Sequence, residues 1–438
     1  MVYKVIKLLF SLAIRLFFKN IQVKGQENIP TKGPLILVAN HPNTLLDPVI
    51  VGVITKQQVG YVAMANLFNN AILAKVLTYL HVLPVVRKQD LKPGEKADNL
   101  TTFRKAHEYL RKGNTLAIFP EGASFYEMKL QELKTGTARI ALSFEKAENY
   151  TGNLKIVPIA LDYSDSIQFR SSIKITVMPA ISVSGYKENY ETDESVAIRD
   201  LTEEIRENLA KYIPQTEGKE QEKLLINLHN FYTCYIKSEA KLKTDVGKSL
   251  DLRYQLAEKV HELSNNNPNS AEQLGKKLDD FFMSLTTNKI SPGFLRAGFS
   301  TKSITSLTLA YSIKLFLLFP LYVYGLIINY IPYSMPLIVF KALKLKIEYK
   351  TSVELVVGIL VFPLFYSLEV WLFYNFVSTN IWLVSLFLIS LPLSGYLVLY
   401  YWAELVRCMR LYRYTKLSIS DKSIINDYKG SILTMLKE

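Results

Sequence analysis

The run Leu35 to Pro48, LILVANHPNTLLDP, carries an imidazole and a carboxylate close together, His41 and Asp47. The apolar residues Leu35 to Ala39 have the length and composition of a buried strand, and the polar residues after them leave His41 in a strand-to-helix turn. Pro48 suits the first position of a helix. Asp47 then falls at the N-cap, where its carboxylate can turn back toward the His41 ring. A histidine held by a carboxylate is a general base: the Asp fixes the tautomer and stabilises the imidazolium formed when the ring takes a proton from an attacking hydroxyl. By itself, a His near an Asp at a strand end is more often a capping pair than a catalytic one. The reading turns on a second cluster, Ile118-Phe119-Pro120-Glu121-Gly122-Ala123-Ser124, again an apolar strand running into a polar turn. Two such turns at one end of one sheet make a site. In the second, Gly122 allows positive φ or a close approach of backbone to ligand, and the turn's N–H groups are candidates to support a substrate or an oxyanion.

Together these residues resemble the glycerolipid acyltransferase family, whose members move an acyl chain from a thioester onto a hydroxyl of a glycerol phosphate. The family's Asn-His followed by Asp matches Asn40-His41 and Asp47, and its Phe-Pro-Glu-Gly-x-Ser matches Phe119 to Ser124. The commonest form of the first motif has four residues between His and Asp. Here there are five, Pro42 to Leu46, as in a branch that resembles the yeast-type glycerol-3-phosphate and dihydroxyacetone-phosphate acyltransferases. The resemblance implies His41 and Asp47 as catalytic residues, and Asn43, Arg87, Lys88, Glu121, Gly122, Ser124 and Lys134 as substrate-binding ones. Arg87 stands at the end of a strand, where the family has a basic residue for the acceptor phosphate; a guanidinium offers paired donors to a phosphate and does not deprotonate. Lys134-x-Gly136 resembles a further family feature, and a helix beginning near Thr137 would add N–H groups and a positive dipole end.

The reaction implied is O-acyl transfer in phospholipid biosynthesis, from acyl-CoA or acyl-carrier protein to glycerol-3-phosphate or dihydroxyacetone phosphate, with no cofactor. Acylation of lysophosphatidic acid is the alternative within the class, since that acceptor carries the same phosphate. A non-catalytic lipid-binding membrane protein on the same fold is the alternative outside it. A serine hydrolase using Ser124 would want a Gly-x-Ser-x-Gly elbow, whereas Ser124 lies in Gly-Ala-Ser-Phe.

The elements that must hold these turns are legible as alternation. Strands are expected over 59–65, 81–87, 115–119, 156–161 and 173–178, with helices over 66–80, 99–112 and 138–144 between them, and a polar flap over 89–96. That pattern implies an α/β fold with a mostly parallel sheet flanked by helices. Residues 190–304 are charged, Leu-spaced and helical, an appendage without visible chemistry. Residues 1–20 mix Lys4, Lys7, Arg15 and Lys19 with Leu, Ile and Phe, which predicts an interfacial amphipathic helix. The catalytic domain is expected over 21–189.

Beyond residue 305 the chain is far richer in apolar residues. Spans are expected near 309–331, 355–377 and 381–403 in a membrane domain of 305–414, followed by a cytoplasmic tail, 415–438. Lys341, Lys344, Lys346 and Lys350 before the second span and Arg407, Arg410, Arg413 and Lys416 after the third place both flanks, and the catalytic domain, on the cytoplasmic side, at the inner membrane if the cell is bacterial. Leu309 to Ile331, with Lys314 and Pro320 inside it, is then either re-entrant or a crossing against the charge rule. Glu369 within a span calls for a cavity or a polar partner. The net charge of +13 over 438 residues suits anionic lipid headgroups and a phosphorylated substrate rather than nucleic acid. Cys234 and Cys408 are too few for a disulfide framework, and the five histidines show no metal-ligand spacing, so no metal is expected.

Overall fold

A computed structural model describes residues 2–86, 99–233, 246–290 and 301–436. The expected flap over 89–96, together with Arg87, Lys88 and Cys234, lies outside the described residues. The chain forms two compact units, Met1–Gln215 with Leu345–Leu355, and Thr216–Lys344 with Val356–Glu438.

The first unit is an eight-stranded, mostly parallel sheet flanked by helices. After helix α1 (Val2–Phe17), its elements are β1 (Asn20–Lys24), β2 (Leu35–Ala39), α2 (Leu46–Ile54), β3 (Val59–Met64), α3 (Ala71–Tyr79), β4 (Val82–Val85), α4 (Leu100–Arg111) and β5 (Thr115–Ile118). Then follow α5 (Gly136–Ala147), β6 (Lys155–Tyr163), β7 (Ser172–Val177), β8 (Ile181–Ser182), α6 (Lys187–Thr192) and α7 (Glu194–Ala210). The strand order is β1-β7-β6-β2-β5-β3-β4, with β8 on β6. Strands β6, β2, β5, β3 and β4 run parallel; β7 and β8 pair antiparallel with β6.

Strand β2 is uninterruptedly apolar because it is central and covered on both faces. All five of its residues are buried. Ile36 and Val38 share a core with Leu116 and Ile118 of β5, Ala106 and Leu110 of α4, Ala138 and Ala141 of α5 and Leu201 and Ile205 of α7. Leu35 and Leu37, equally buried, point the other way, as strand alternation requires. The consequence for chemistry is one of position. Because β2 and β5 are parallel neighbours, with Val38 opposite Ile118, the two polar turns that follow them leave the sheet side by side at its carboxyl edge.

Helix α1 buries Ile14 and Phe17, while Val5, Leu8, Leu12 and Leu16 are exposed. Phe17 meets Phe169 edge-on, with ring centroids 5.3 Å apart.

The second unit is helical. Helices α8 (Gly218–Phe231), α9 (Val246–Asn266) and α10 (Pro268–Thr287) pack through Leu-spaced faces, with Phe231 and Phe281 in edge-to-face contact at 5.6 Å. Three further helices are long and apolar enough to cross a membrane: α11 (Thr301–Leu343), α12 (Lys350–Phe376) and α13 (Ile381–Lys416). A last helix, α14 (Ile419–Met435), packs on α10. Helix α11 is continuous through Pro320, Pro332 and Pro336 and so does not turn back at Pro320; lipid-embedded helices accommodate such prolines because neighbouring groups satisfy the freed carbonyls. Gly325 lets α11 approach α13 closely, since a Cβ there would lie 2.6 Å from the Ser394 carbonyl oxygen. One turn on, buried Asn329 donates to Ser394 Oγ (3.1 Å) and accepts from Tyr366 of α12 (2.7 Å). Lys314 reaches Glu404 of α13 (3.6 Å), itself paired with Arg407 (3.2 Å). Glu369 Oε2 is buried and has no hydrogen-bond partner among the described residues.

Candidate active site

The first turn begins where β2 runs out of backbone partners. Asn40 continues the strand with its side chain: its amide donates to the Leu161 carbonyl (3.0 Å) and its carbonyl accepts the Leu161 N–H (2.7 Å). The amide thus imitates one more rung of the β2–β6 ladder and fixes the point at which the chain turns away. His41 follows, largely covered by its neighbours. Its Nδ1 lies 2.9 Å from Asp47 Oδ2, and the Asp47 side chain is fully buried. Nε2 is left as the nitrogen that can take a proton.

Asp47 is placed differently from the N-cap that Pro48 suggests. The helix starts at Leu46, after an N-cap at Leu45, so Asp47 and Pro48 both lie within its first turn. Proline is tolerated there because the first four N–H groups of a helix have no partner within it. From this position the carboxylate collects three donors. Oδ2 takes the Asn43 N–H (2.7 Å) as well as His41 Nδ1, and Oδ1 takes the Tyr163 hydroxyl at the end of β6. Burial raises the Asp47 pKa above its ordinary value, and the hydrogen bonds from His41, Tyr163 and Asn43 oppose that rise. The same burial, with the Asp47 charge beside it, holds the Tyr163 phenol well above its ordinary value.

The second turn closes over the first. Gly122 adopts φ +74°, which favours glycine, and its N–H donates to the Phe119 carbonyl (3.1 Å). The Phe119 ring stacks on the His41 imidazole, centroids 4.4 Å apart and planes 27° off parallel. Buried Glu121 accepts the His41 backbone N–H (3.1 Å), and the Phe125 N–H returns to the His41 carbonyl (3.3 Å). Of the turn's amides, that of Gly122 is thus engaged in closing the second turn on itself, and the next one along the chain, that of Phe125, ties it to the first. Burial pushes the Glu121 pKa up to about 8; the His41 N–H pulls it down and Asp47 adds to the rise. Ser124 is half-buried in the same turn. Lys134 is tied to it by its backbone, N–H to the Pro120 carbonyl (2.8 Å), while its exposed side chain meets Glu132 at 3.3 Å.

The structure thus gathers His41, Asn43, Asp47, Glu121, Gly122 and Ser124 at the ends of β2 and β5, with Lys134 at their margin. Tyr163 was not among the sequence candidates. A tyrosine closing a strand, next to Asp162, gives no local sign of its partner, although a buried tyrosine needs one for its O–H. Thr351 and Ser352 also reach this turn, from far along the chain. A separate cavity of about 500 Å³ lies between α1, β1, α2 and β7, lined by Ile14, Arg15, Lys19, Ile50 and Ile173 among others, and no residue of either motif turn lines it.

Residues 20–162 match the family model described as Acyltransferase. Glycerol-3-phosphate O-acyltransferase 2 of Saccharomyces cerevisiae is 31% identical over 121 residues, which cover 27% of this chain and 16% of that protein. Glycerol-3-phosphate O-acyltransferase 1 of the same yeast is 24% identical over 301 residues, 47% of this chain and 39% of that protein. The chain therefore spans less than half the length of these curated relatives. Among solved structures, the 1-acyl-sn-glycerophosphate (LPA) acyltransferase of Thermotoga maritima matches 46% of this chain and 79% of its own at 20% identity and a TM-score of 0.33. The paired His41 and Asp47 and the Pro-Glu-Gly turn all lie inside the segment, residues 20–162, that matches the Acyltransferase model.

Proposed function

We propose that the protein transfers a fatty acyl group from an acyl thioester to a hydroxyl of glycerol-3-phosphate. The observation that carries this is the 2.9 Å contact between His41 Nδ1 and the fully buried Asp47 carboxylate. His41 Nε2 removes the proton of the acceptor hydroxyl as its oxygen attacks the thioester carbonyl, and Asp47 stabilises the imidazolium. The tetrahedral intermediate collapses with cleavage of the C–S bond, and the imidazolium returns the proton to the departing sulfur. No covalent acyl-enzyme is required, because positioning two substrates and moving one proton supply the rate.

Glu121 suits the acceptor side of this reaction. With its pKa near 8 it is mainly protonated at neutral pH, so it offers an O–H donor and does not repel a phosphate. Arg87, Lys88 and Lys134 are assigned to the phosphate, and Asn43, Gly122 and Ser124 to the shape of the acceptor pocket. The names of the two yeast relatives favour glycerol-3-phosphate. The exposed apolar face of α1 and the three apolar helices favour work at a lipid surface, with the catalytic unit on the cytoplasmic side by the lysine and arginine flanks.

The test is incubation of the purified full chain with labelled acyl-CoA or acyl-carrier protein and, in separate reactions, glycerol-3-phosphate, dihydroxyacetone phosphate and lysophosphatidic acid. Acyl transfer to glycerol-3-phosphate, lost in His41→Ala, supports the proposal. Transfer to lysophosphatidic acid alone reassigns the acceptor, and no product with any acceptor refutes the reaction.

A further inference from the structure

Helix α12 begins within the first unit, and two hydroxyl residues of its first turn, Thr351 and Ser352, are buried against the His41 turn. Hydroxyls at a helix start ordinarily satisfy the helix's own N–H groups. These two are used elsewhere. Ser352 Oγ donates to Asn43 Oδ1 (2.9 Å) and accepts from the Leu45 N–H (2.9 Å), with Thr44 Oγ1 at 3.0 Å. The one O–H of Ser352 is thus used on Asn43 and a lone pair on Leu45, beside a Thr44 hydroxyl whose own O–H reaches the Glu348 carbonyl at 3.4 Å. Thr351 Oγ1 accepts from Asn43 Nδ2 and donates to the Ser166 carbonyl (3.0 Å), which also takes an Asn43 N–H (2.7 Å). Every polar atom of the Asn43 side chain is thereby committed.

Asn43, Thr44 and Leu45 lie in the stretch that separates His41 from Asp47, the part of the motif that is one residue longer than the common form. The Asn43 backbone N–H rests on Asp47 Oδ2, the oxygen that also holds His41 Nδ1. We propose that Thr351 and Ser352 are positioning residues for the catalytic pair: they brace the longer His–Asp turn so that Asp47 Oδ2 stays aligned with the imidazole. The brace is the foot of a helix that continues as an apolar span to Phe376. The base of the reaction is thus set in place by the start of a membrane helix. The inference rests on reading His41 as the base of acyl transfer.

The full chain in detergent micelles is compared with Thr351→Val, Ser352→Ala, the double variant and Thr351→Ser. The double variant is expected to lower kcat about tenfold to a hundredfold, the scale of a small misalignment of catalytic groups, with KM for thioester and acceptor within about twofold of wild type. Thr351→Ser, which keeps the hydroxyl, regains turnover that Thr351→Val loses. Hydrogen exchange supplies a readout independent of activity: amides of residues 41–47 exchange faster in the double variant, while those of β6 keep their protection. Unchanged kcat with unchanged exchange in the turn overturns the inference, as does loss of protection in β6 alongside the turn, which would mean general unfolding. If wild type makes no acyl product but the turn alone loosens in the double variant, the brace stands and the acyl-transfer reading falls.

Discussion

Tyr163 and Asp47 share a buried hydrogen bond, in which the phenol at the end of β6 donates to Oδ1 while His41 and the Asn43 N–H occupy Oδ2. The carboxylate is held on both oxygens, so its alignment toward the imidazole does not depend on the imidazole itself. Tyr163→Phe leaves Oδ1 buried and short of a donor. A stability loss of about 1–3 kcal/mol is expected, the cost of an unsatisfied buried acceptor, with a several-fold fall in kcat. Thermal unfolding and initial rates measure both, and wild-type values in each would show that Oδ1 finds another donor.

For the pair itself, Asp47→Asn keeps the shape of the side chain but removes its charge. Turnover is expected to fall by about 10²–10⁴, the contribution usual for a positioned acid–base group. Because the turn also relies on Oδ2, the variant's fold is checked by circular dichroism. Near-normal kcat in a folded Asp47→Asn protein would place the base elsewhere.

Glu121 gives the protein a pH signature. Its ordinary pKa is 4.5 and its folded value about 8. Between these, the folded protein holds a proton that the unfolded chain has released. The associated stability is full below the lower value and is lost as pH rises through the upper one. The apparent Tm in detergent should therefore decline from about pH 5 to about pH 8, and Glu121→Gln, permanently neutral, should flatten that decline. An equal slope in both proteins removes Glu121 as its source.

Gly122 tests the geometry of the second turn. At φ +74° an alanine is strained, yet its Cβ would meet nothing nearer than Lys134 Cγ at 3.9 Å. The expected cost of Gly122→Ala is about 1–2 kcal/mol, the left-handed penalty alone, and Gly122→Asn should cost less. Chemical denaturation of the two variants compares them directly; an alanine as stable as glycine would contradict the left-handed turn.

How much of this site the sequence discloses follows from how far apart its parts lie. His41, Asp47 and the Pro-Glu-Gly turn are each local patterns, readable because a strand, a turn and a helix start leave compositional marks over a few residues. Their meeting is readable too, since parallel strands joined by helices place their carboxyl ends on one edge. Asp47 was displaced from the N-cap by a helix that starts at Leu46, a boundary of the kind that composition defines poorly. Tyr163 reaches Asp47 across 116 positions and Thr351 reaches Asn43 across 308. Neither partner carries a local mark, because a Tyr closing a strand and a Thr opening an apolar helix have ordinary roles on their own. The engagement of the Gly122 and Phe125 amides was equally hidden, being a matter of which carbonyl each one meets.

The discontinuity of the first unit bears on how its fold is completed during synthesis. Asn43 leaves the ribosome 308 residues ahead of the hydroxyl that completes its bonding, a delay of roughly 15–60 s at ordinary speeds of translation. Throughout that interval the nascent polypeptide already contains His41 and Asp47, yet their turn lacks the hydroxyls of Thr351 and Ser352. The full set of hydrogen bonds around Asn43 is thereby deferred until the foot of the second long apolar helix has been synthesised.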